Sequence, residues 1–144
     1  MIKSFVRAWE DNKSNLEQYF KATNPYEISY ATIVKQLFEL VINPYGNEKE
    51  NSFSFNAEDI TKIDNGDYQG TLIFILHKDT YQPDVSDYIM TFVGYGSCSV
   101  CDTLQGIQAE NYEDTATEEQ VKEFMTLSLH LIQRMEWLCK QENN

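Results

Sequence analysis

The sequence lacks any long apolar run, because its apolar stretches are no longer than a β-strand although 42% of its 144 residues are hydrophobic. A membrane-spanning helix needs about 20 consecutive apolar residues, so none is predicted. Cysteine is also scarce: the chain has three, an odd number that fits a reducing compartment better than a disulfide framework. Charges at Lys3, Arg7 and Glu10 interrupt any signal-peptide core. We therefore expect a cytoplasmic protein.

Basic residues are missing from one long segment. Between Asp79 and Val121 there is no lysine or arginine, and the nine acids of this segment account for most of the net charge of −12. A surface of one sign repels nucleic acid and anionic membranes and attracts a basic partner. An acidic surface that only keeps the protein soluble is the alternative interpretation. The predicted partner-binding residues are Asp79, Asp84, Asp87, Glu110, Glu113, Asp114, Glu118 and Glu119.

The length of the chain predicts a single domain. At 144 residues it can bury a sizeable core but is too short for two comfortable domains. Its aromatic content of 13% is that of a folded chain rather than a disordered one. We predict one domain that covers residues 1–144.

The first forty residues predict a helical hairpin. Apolar residues recur at three- and four-residue steps, which predicts a helix over about 2–22. Asn24-Pro25, followed by Glu27, has the pattern of a second helix start, with a capping residue and then proline at the first helical position. An apolar face follows, and Asn43-Pro44-Tyr45-Gly46 is predicted to end the second helix.

The middle of the chain predicts three strands. Residues 60–63 alternate in polarity, and Asn65-Gly66 is a strong signal for a tight hairpin turn. The next strand, within residues 68–77, is apolar on both faces, and the third covers 88–93. This order implies an antiparallel meander.

Two capping patterns predict the remaining helices. Asp102 with Gln105, and Thr117 with Gln120, have the spacing of a capping box. The first predicts a short helix at Thr103, and the second a long one whose apolar stripe extends to Leu138. The predicted fold class is α+β, with the element order α-α-β-β-β-α.

Three runs of the sequence resemble a group of small uncharacterised accessory proteins of bacteriophages and prophages. These runs are NGDYQGT at residues 65–71, KDTYQP at 78–83 and YGSCSVCDTLQ at 95–105. The resemblance covers most of the chain and implies a context rather than an activity. That context is the inside of a bacterial host cell, where inhibitors of host defence are a frequent class of phage protein.

The third of these runs carries the candidate site chemistry. Glycine and serine before a helix start offer backbone N–H groups and hydroxyls, as sites for phosphate or a small ligand do. Its nearest basic neighbours, Lys78 and Lys122, are far along the chain, and no Walker A or Rossmann spacing is present. The candidate ligand-binding residues are Tyr95, Gly96, Ser97, Cys98, Ser99, Asp102 and Thr103.

The C-x-x-C pair, Cys98 and Cys101, has three interpretations. With His77 it is a weak candidate for a zinc site, although two cysteines without a second paired motif are a poor zinc signal. A redox pair at a helix start is a second interpretation, but the neighbouring Asp102 and the acidic segment disfavour a thiolate. We favour the third, in which the small residues let the turn pack tightly under the last helix. No cofactor is therefore expected, with zinc as the alternative.

Because no catalytic signature is present, we lean towards a non-enzymatic binding protein. The first hypothesis is an acidic anti-defence protein, resembling anti-CRISPR inhibitors in role, that binds a basic surface of a host protein without contacting nucleic acid or membrane. The second is a small-ligand or nucleotide binder that uses the glycine-serine-cysteine turn.

A homodimer is also predicted, because the middle strand is apolar on both faces and three strands offer little room for three long helices. Ile73, Ile75, Val93 and Tyr95 are expected near the contact between copies or under a helix.

Overall fold

A computed structural model describes residues 2–48 and 53–139 of the chain. The fold is α+β, as predicted, with helices and a four-stranded antiparallel sheet. Within the described residues, no helix is both long and apolar enough to cross a bilayer. The helices are α1 (Lys3–Ala22), α2 (Tyr30–Leu37), α3 (Asn43–Glu48), α4 (Thr103–Gln108) and α5 (Glu118–Gln133), and the strands are β1 (Thr61–Gly66), β2 (Gly70–His77), β3 (Tyr88–Tyr95) and β4 (Glu136–Trp137).

The predicted second helix is broken into several parts. Asn24 caps only a short 3₁₀ turn, Pro25–Glu27, and α2 begins after Ser29, whose hydroxyl accepts from the N–H of Thr32 at 3.1 Å. A π-helical turn, Phe38–Ile42, then joins α2 to α3. The prediction that residues 43–46 end the helix is wrong. Pro44 follows the π-helical turn directly, and the carbonyl of Leu40, which an N–H at position 44 would bond in a regular α-helix, accepts from the amide of Asn15 at 3.1 Å instead.

The hairpin between β1 and β2 is present, but its turn is displaced. Gly66 pairs with Gly70, so the turn consists of residues 67–69, and Asn65-Gly66 belongs to β1. A tight turn at Asn65-Gly66 needs positive φ angles, and no described residue has one. The two glycines approach so closely that a Cβ on Gly70 would lie 2.9 Å from the Cα of Gly66. Close backbone approach, rather than a left-handed conformation, therefore explains these glycines.

The sheet has a fourth strand that the sequence did not predict. The last helix ends at Gln133 rather than near Leu138, because Arg134 is its C-cap and the chain then turns back along β3. Trp137 then pairs with Ile89, and the N–H of Leu138 donates to the carbonyl of Tyr88 at 3.0 Å. Met135 remains buried after the turn. Because Met135 is apolar and buried, the sequence pattern assigned it to the apolar stripe of the last helix.

The two faces of the sheet differ in what covers them. One face is buried in the core, where the hydroxyl of Thr91 donates to the carbonyl of Leu131 on α5 at 2.7 Å. Helix α1 packs behind α5, and Phe20 stacks on Phe124 with ring centroids 5.0 Å apart. Two layers of helix therefore fit on one face. The prediction that three strands offer too little room for the long helices on one face is thus wrong. Val93 is buried there.

The opposite face of the sheet carries a row of partly exposed apolar side chains, which we call the outer sheet face. The register aligns Ile63, Ile73 and Phe92 across three strands, and Ile75 with Met90 beside them. Ile63 and Phe92 remain 44% and 36% exposed. Four residues were expected at a dimer contact or under a helix, and two of them, Ile73 and Ile75, lie on the outer sheet face.

Candidate functional site

Asp102 organises the turn that follows β3. Its side chain is buried, and Oδ1 accepts from the backbone N–H of Gly96 at 3.0 Å and from the hydroxyl of Tyr30 at 3.1 Å. Its other oxygen accepts from the N–H of Gln105 at 2.8 Å, which confirms the predicted cap of α4. Gln105 does not complete the box, because its amide donates to the carbonyl of Gly96 at 3.1 Å.

Tyr30 is the residue of this arrangement that sequence reasoning missed. Its hydroxyl donates to Asp102 and accepts from the N–H of Leu104 at 3.2 Å. Burial, together with the negative charge of Asp102, raises the pKa of Tyr30 to about 12, so the phenol remains protonated. Tyr30 is 72 residues from Asp102 along the chain, and no local pattern could have linked the two.

Gly96 is required by close packing within the turn. A Cβ at this position would lie 2.7 Å from Sγ of Cys101 and 2.6 Å from its carbonyl oxygen. Gly94, in contrast, has room for a side chain, since its Cβ would meet no atom closer than 3.8 Å. The prediction of a tightly packed turn is therefore correct for Gly96 but not for Gly94.

Cys98 and Cys101 are both exposed, so the interpretation that they pack under the last helix is wrong. Their sulfur atoms are 2.7 Å apart, and the N–H of Cys98 donates to Sγ of Cys101 at 3.2 Å. The hydrogen bond from the Cys98 thiol lowers the pKa of Cys101, with further help from hydrogen bonds of Ser97. The turn thus presents two thiols to solvent, one of which ionises more readily than usual.

His77 does not reach this pair of cysteines. Gly70, at the start of β2, pairs with Tyr95 next to the turn, whereas His77 is at the other end of β2. The length of the strand therefore places His77 roughly 20 Å from the turn. Its ring bonds the carbonyl of Lys78 at 2.8 Å and the carboxylate of Asp59 at 3.2 Å, and these contacts raise its pKa. Among the described residues, no group of three or more potential ligands that could hold a metal is found.

A cavity of about 500 Å³ lies between the turn and α5. Of the predicted ligand-binding residues, Ser99, Asp102 and Thr103 line it, whereas Tyr95, Gly96, Ser97 and Cys98 do not. The hydroxyl of Tyr95 instead donates to Asp64 at 2.5 Å, which raises the pKa of Tyr95 to about 12. The remaining lining residues are Val100, Cys101, Gly106, Ile107, Glu110, Glu123, Thr126, Leu127 and His130.

The cavity is acidic. Burial raises the pKa of Glu123 to about 7, and the neighbouring carboxylate of Glu110 adds to the shift. Within the described chain, Oε2 of Glu123 is buried without a hydrogen-bond partner. The N–H groups of Gly96 and Gln105, which a phosphate would need, already donate to Asp102. This geometry favours a cation or a hydrogen-bond donor over a phosphate.

The predicted acidic residues lie in two separate groups. Asp79, Asp84 and Asp87 are in the connection before β3, where Asp84 and Asp87 also cap a short 3₁₀ turn. The other five lie between α4 and the first turn of α5, beyond the opposite end of β3. These acids therefore do not form one face, and of the eight only Glu110 lines the cavity.

No protein-family model matches this chain, and neither a curated protein nor a solved structure matches it significantly.

Proposed function

We propose that the protein is a non-enzymatic binding protein that uses one acidic surface to hold a basic partner protein. This acidic loop surface consists of Glu110, Tyr112, Glu113, Asp114, Glu118 and Glu119. In the context that the resemblance implies, the partner is a defence protein of a bacterial host, and the encounter takes place in the cytoplasm.

The exposure of this surface carries the proposal. Its five acids are exposed, and only Glu119 is in an ion pair within the described residues, with Lys122 at 3.7 Å. Tyr112 stands among them with 88% of its surface exposed. Tyrosine is enriched among the residues that dominate binding energy, and surrounding charges steer the encounter with a partner.

The loop that carries these residues is held in place before any partner binds. The hydroxyl of Tyr26 donates to the carbonyl of Asn111 at 3.0 Å. The amide of Asn111 donates to the carbonyl of Thr115 at 2.8 Å, and its oxygen accepts from the N–H of Glu113 at 3.2 Å. A preorganised loop loses less conformational entropy on binding, which favours affinity.

Charge reversal on the loop tests this proposal. The double variant Glu113→Lys/Asp114→Lys is compared with the wild type and with Glu10→Lys/Asp11→Lys, a matched double reversal on α1. A host protein retained by the wild type is identified, purified and titrated at low and high salt. We expect the loop variant alone to lose about tenfold or more in affinity, and wild-type binding to weaken as salt rises. Equal binding by both double variants, or binding independent of salt, would contradict the proposal.

A second candidate function is the binding of a small ligand in the cavity, and the unpartnered carboxyl oxygen of Glu123 favours it. An occupant with a positive charge or a hydrogen-bond donor would satisfy that oxygen. Mass spectrometry of small molecules released from the denatured protein tests this function. We expect release from the wild type and not from Glu123→Gln. A blank from both proteins counts against it.

We also propose that the outer sheet face packs against a second copy of the chain. Ile63 and Phe92 are exposed there beside the half-buried Ile73, and a second copy would remove this apolar surface from water. Light scattering is expected to give twice 16.8 kDa for the wild type and 16.8 kDa for Ile73→Glu. Tyr81→Glu, at a residue 96% exposed, is the control and should remain dimeric. A wild-type monomer across the micromolar range would reject the dimer.

A further inference from the structure

We propose that Cys98 and Cys101 form an exposed dithiol site that reacts reversibly with small-molecule disulfides and closes to an intramolecular disulfide. Cys101 lines the same cavity as Glu110 of the acidic loop surface, but the proposal does not depend on the proposed function. Its substrate class is a low-molecular-weight disulfide such as oxidised glutathione.

The backbone between the two cysteines already has the shape that such a bond needs. The N–H of Cys101 donates to the carbonyl of Cys98 at 3.2 Å, and the N–H of Asp102 donates to the same carbonyl at 2.9 Å. A turn closed in this way brings its end Cα atoms within about 7 Å, which overlaps the range that disulfides span. The thiols are in mutual contact at 2.7 Å. The disulfide can therefore form without a large movement of the chain.

Gly96 is what allows this contact. A side chain at that position would enter the space of the Cys101 sulfur and carbonyl. Both thiols are exposed, so a tripeptide disulfide can reach them. A buried pair of the same geometry would be protected from exchange.

The chemistry of the turn favours ionisation of one sulfur. Hydrogen bonds from the Cys98 thiol and from the N–H of Cys98 stabilise the thiolate of Cys101 and lower its pKa. The sequence suggests that Asp102 should oppose this ionisation. In the structure its carboxylate is buried and accepts from Gly96, Gln105 and Tyr30, so its charge is compensated on the inner side of the turn.

The reaction proceeds in two balanced exchange steps. The Cys101 thiolate attacks one sulfur of oxidised glutathione, the disulfide bond of glutathione breaks, and one glutathione leaves as a thiolate that takes up a proton. The Cys98 thiolate then attacks Sγ of Cys101, and the second glutathione leaves in the same way. Two protein thiols lose two electrons, and one glutathione disulfide becomes two glutathione thiols.

Intact-mass measurement after alkylation tests the proposal. The full chain is equilibrated in buffers with different ratios of reduced to oxidised glutathione, quenched with acid and treated with N-ethylmaleimide. We expect three maleimide adducts under reducing conditions and one, on Cys139, under oxidising conditions, without added glutathione mass. Cys139→Ser should lose both of its adducts in the same range of ratios. Three adducts on the wild type in every buffer, or oxidation that requires Cys139, would overturn the proposal.

Single-cysteine variants distinguish the two sulfurs. Cys98→Ser and Cys101→Ser should each stop at a mixed disulfide with glutathione, because the second exchange step lacks its thiol. In the background Cys139→Ser, Cys98→Ser should form its mixed disulfide several-fold faster than Cys101→Ser near pH 7. Equal rates would overturn the assignment of Cys101 as the attacking sulfur. Intramolecular closure in either single variant that retains Cys139 would overturn the site itself.

Discussion

The turn at residues 96–105 and the loop at residues 109–117 follow each other along the chain, and both contain acidic and small polar residues. In the turn, the carboxylate of Asp102 is buried and accepts three hydrogen bonds. In the loop, Glu113 and Asp114 are exposed, and the amide of Asn111 organises the backbone instead. An acid in this segment can therefore hold the fold or remain available to a partner. Its tertiary neighbours determine which.

The loop is nevertheless anchored at both ends. The amide of Gln108 donates to the carbonyls of Pro25 and Ile28, each at 2.9 Å. The amide of Gln120 donates to the carbonyl of Ile107 at 2.9 Å, and its oxygen accepts from the N–H of Thr117 at 3.0 Å. These anchors use neutral side chains, so the exposed carboxylates of Glu113 and Asp114 are not needed to hold the loop in place.

Removal of the buried acid should have the largest effect on stability. Asp102→Ala leaves the backbone N–H groups of Gly96 and Gln105 and the hydroxyl of Tyr30 without their acceptor. We expect the free energy of unfolding to fall by about 3 kcal/mol, from the lost cap and the unsatisfied donors. Asp114→Ala, the control in the loop, should change it by less than about 0.5 kcal/mol. Urea unfolding measures both changes. Equal losses would show that the buried Asp102 supports the fold no more than the exposed Asp114 does.

Removal of the loop anchor should come second. Gln120→Ala deletes a fully buried side chain that joins α4 to the start of α5. We expect a loss of about 2 kcal/mol, because both a helix cap and a buried hydrogen bond are removed. The control is Gln133→Ala, at an exposed position at the other end of α5. If the two variants unfold at the same urea concentration, Gln120 is not an anchor.

Neutralisation of the cavity acid should stabilise the protein, and only at neutral or higher pH. The folded state raises the pKa of Glu123 from 4.5 to about 7, so it binds this proton more tightly than the unfolded state does. The free energy of unfolding therefore falls as pH rises from about 4.5 to 7. Glu123→Gln removes this loss and should gain about 1 kcal/mol near pH 8 after solvent screening, but nothing near pH 4. Thermal unfolding across this range, with Glu113→Gln as the control, checks the sign.

Charge reversal in the loop should have the smallest effect on stability. Glu113→Lys/Asp114→Lys is expected to change the free energy of unfolding by less than about 0.5 kcal/mol, because both side chains are exposed. Its effect on partner binding should be large in comparison. A strong loss of stability, measured by urea unfolding, would show that these acids also support the fold.

The parts of the fold that depend on short-range chemistry could be predicted from the sequence. The amphipathic pattern of α1, the capping box of Thr117 and Gln120, and the cap by Asp102 are confirmed. Each depends on residues within a few positions of one another. The β1–β2 hairpin was also predicted, although its turn lies two residues later than expected.

The candidate site could be predicted only in part, because its geometry joins distant segments. The sequence identified the residues of the turn, but of the three interpretations of Cys98 and Cys101 it favoured packing under the last helix, which is wrong because both thiols are exposed. It did not indicate that Glu123 and His130 of α5 line a cavity with Ser99. A helical stripe reports the buried side of α5, whereas these two residues lie at the edge of that stripe.

By itself, the sequence determined the fold class, the starts of α1, α4 and α5, and the absence of basic residues between Asp79 and Val121, because these are properties of local pattern and composition. Only the tertiary structure decided the rest. Residues 136–137 form a strand because they pair with β3. Tyr30, 72 residues from Asp102, donates one of the three hydrogen bonds that the buried carboxylate of Asp102 accepts. The opposite ends of β3 separate the acids into two groups. Contacts between distant segments set burial, and burial decides which carboxylates and thiols a partner can reach.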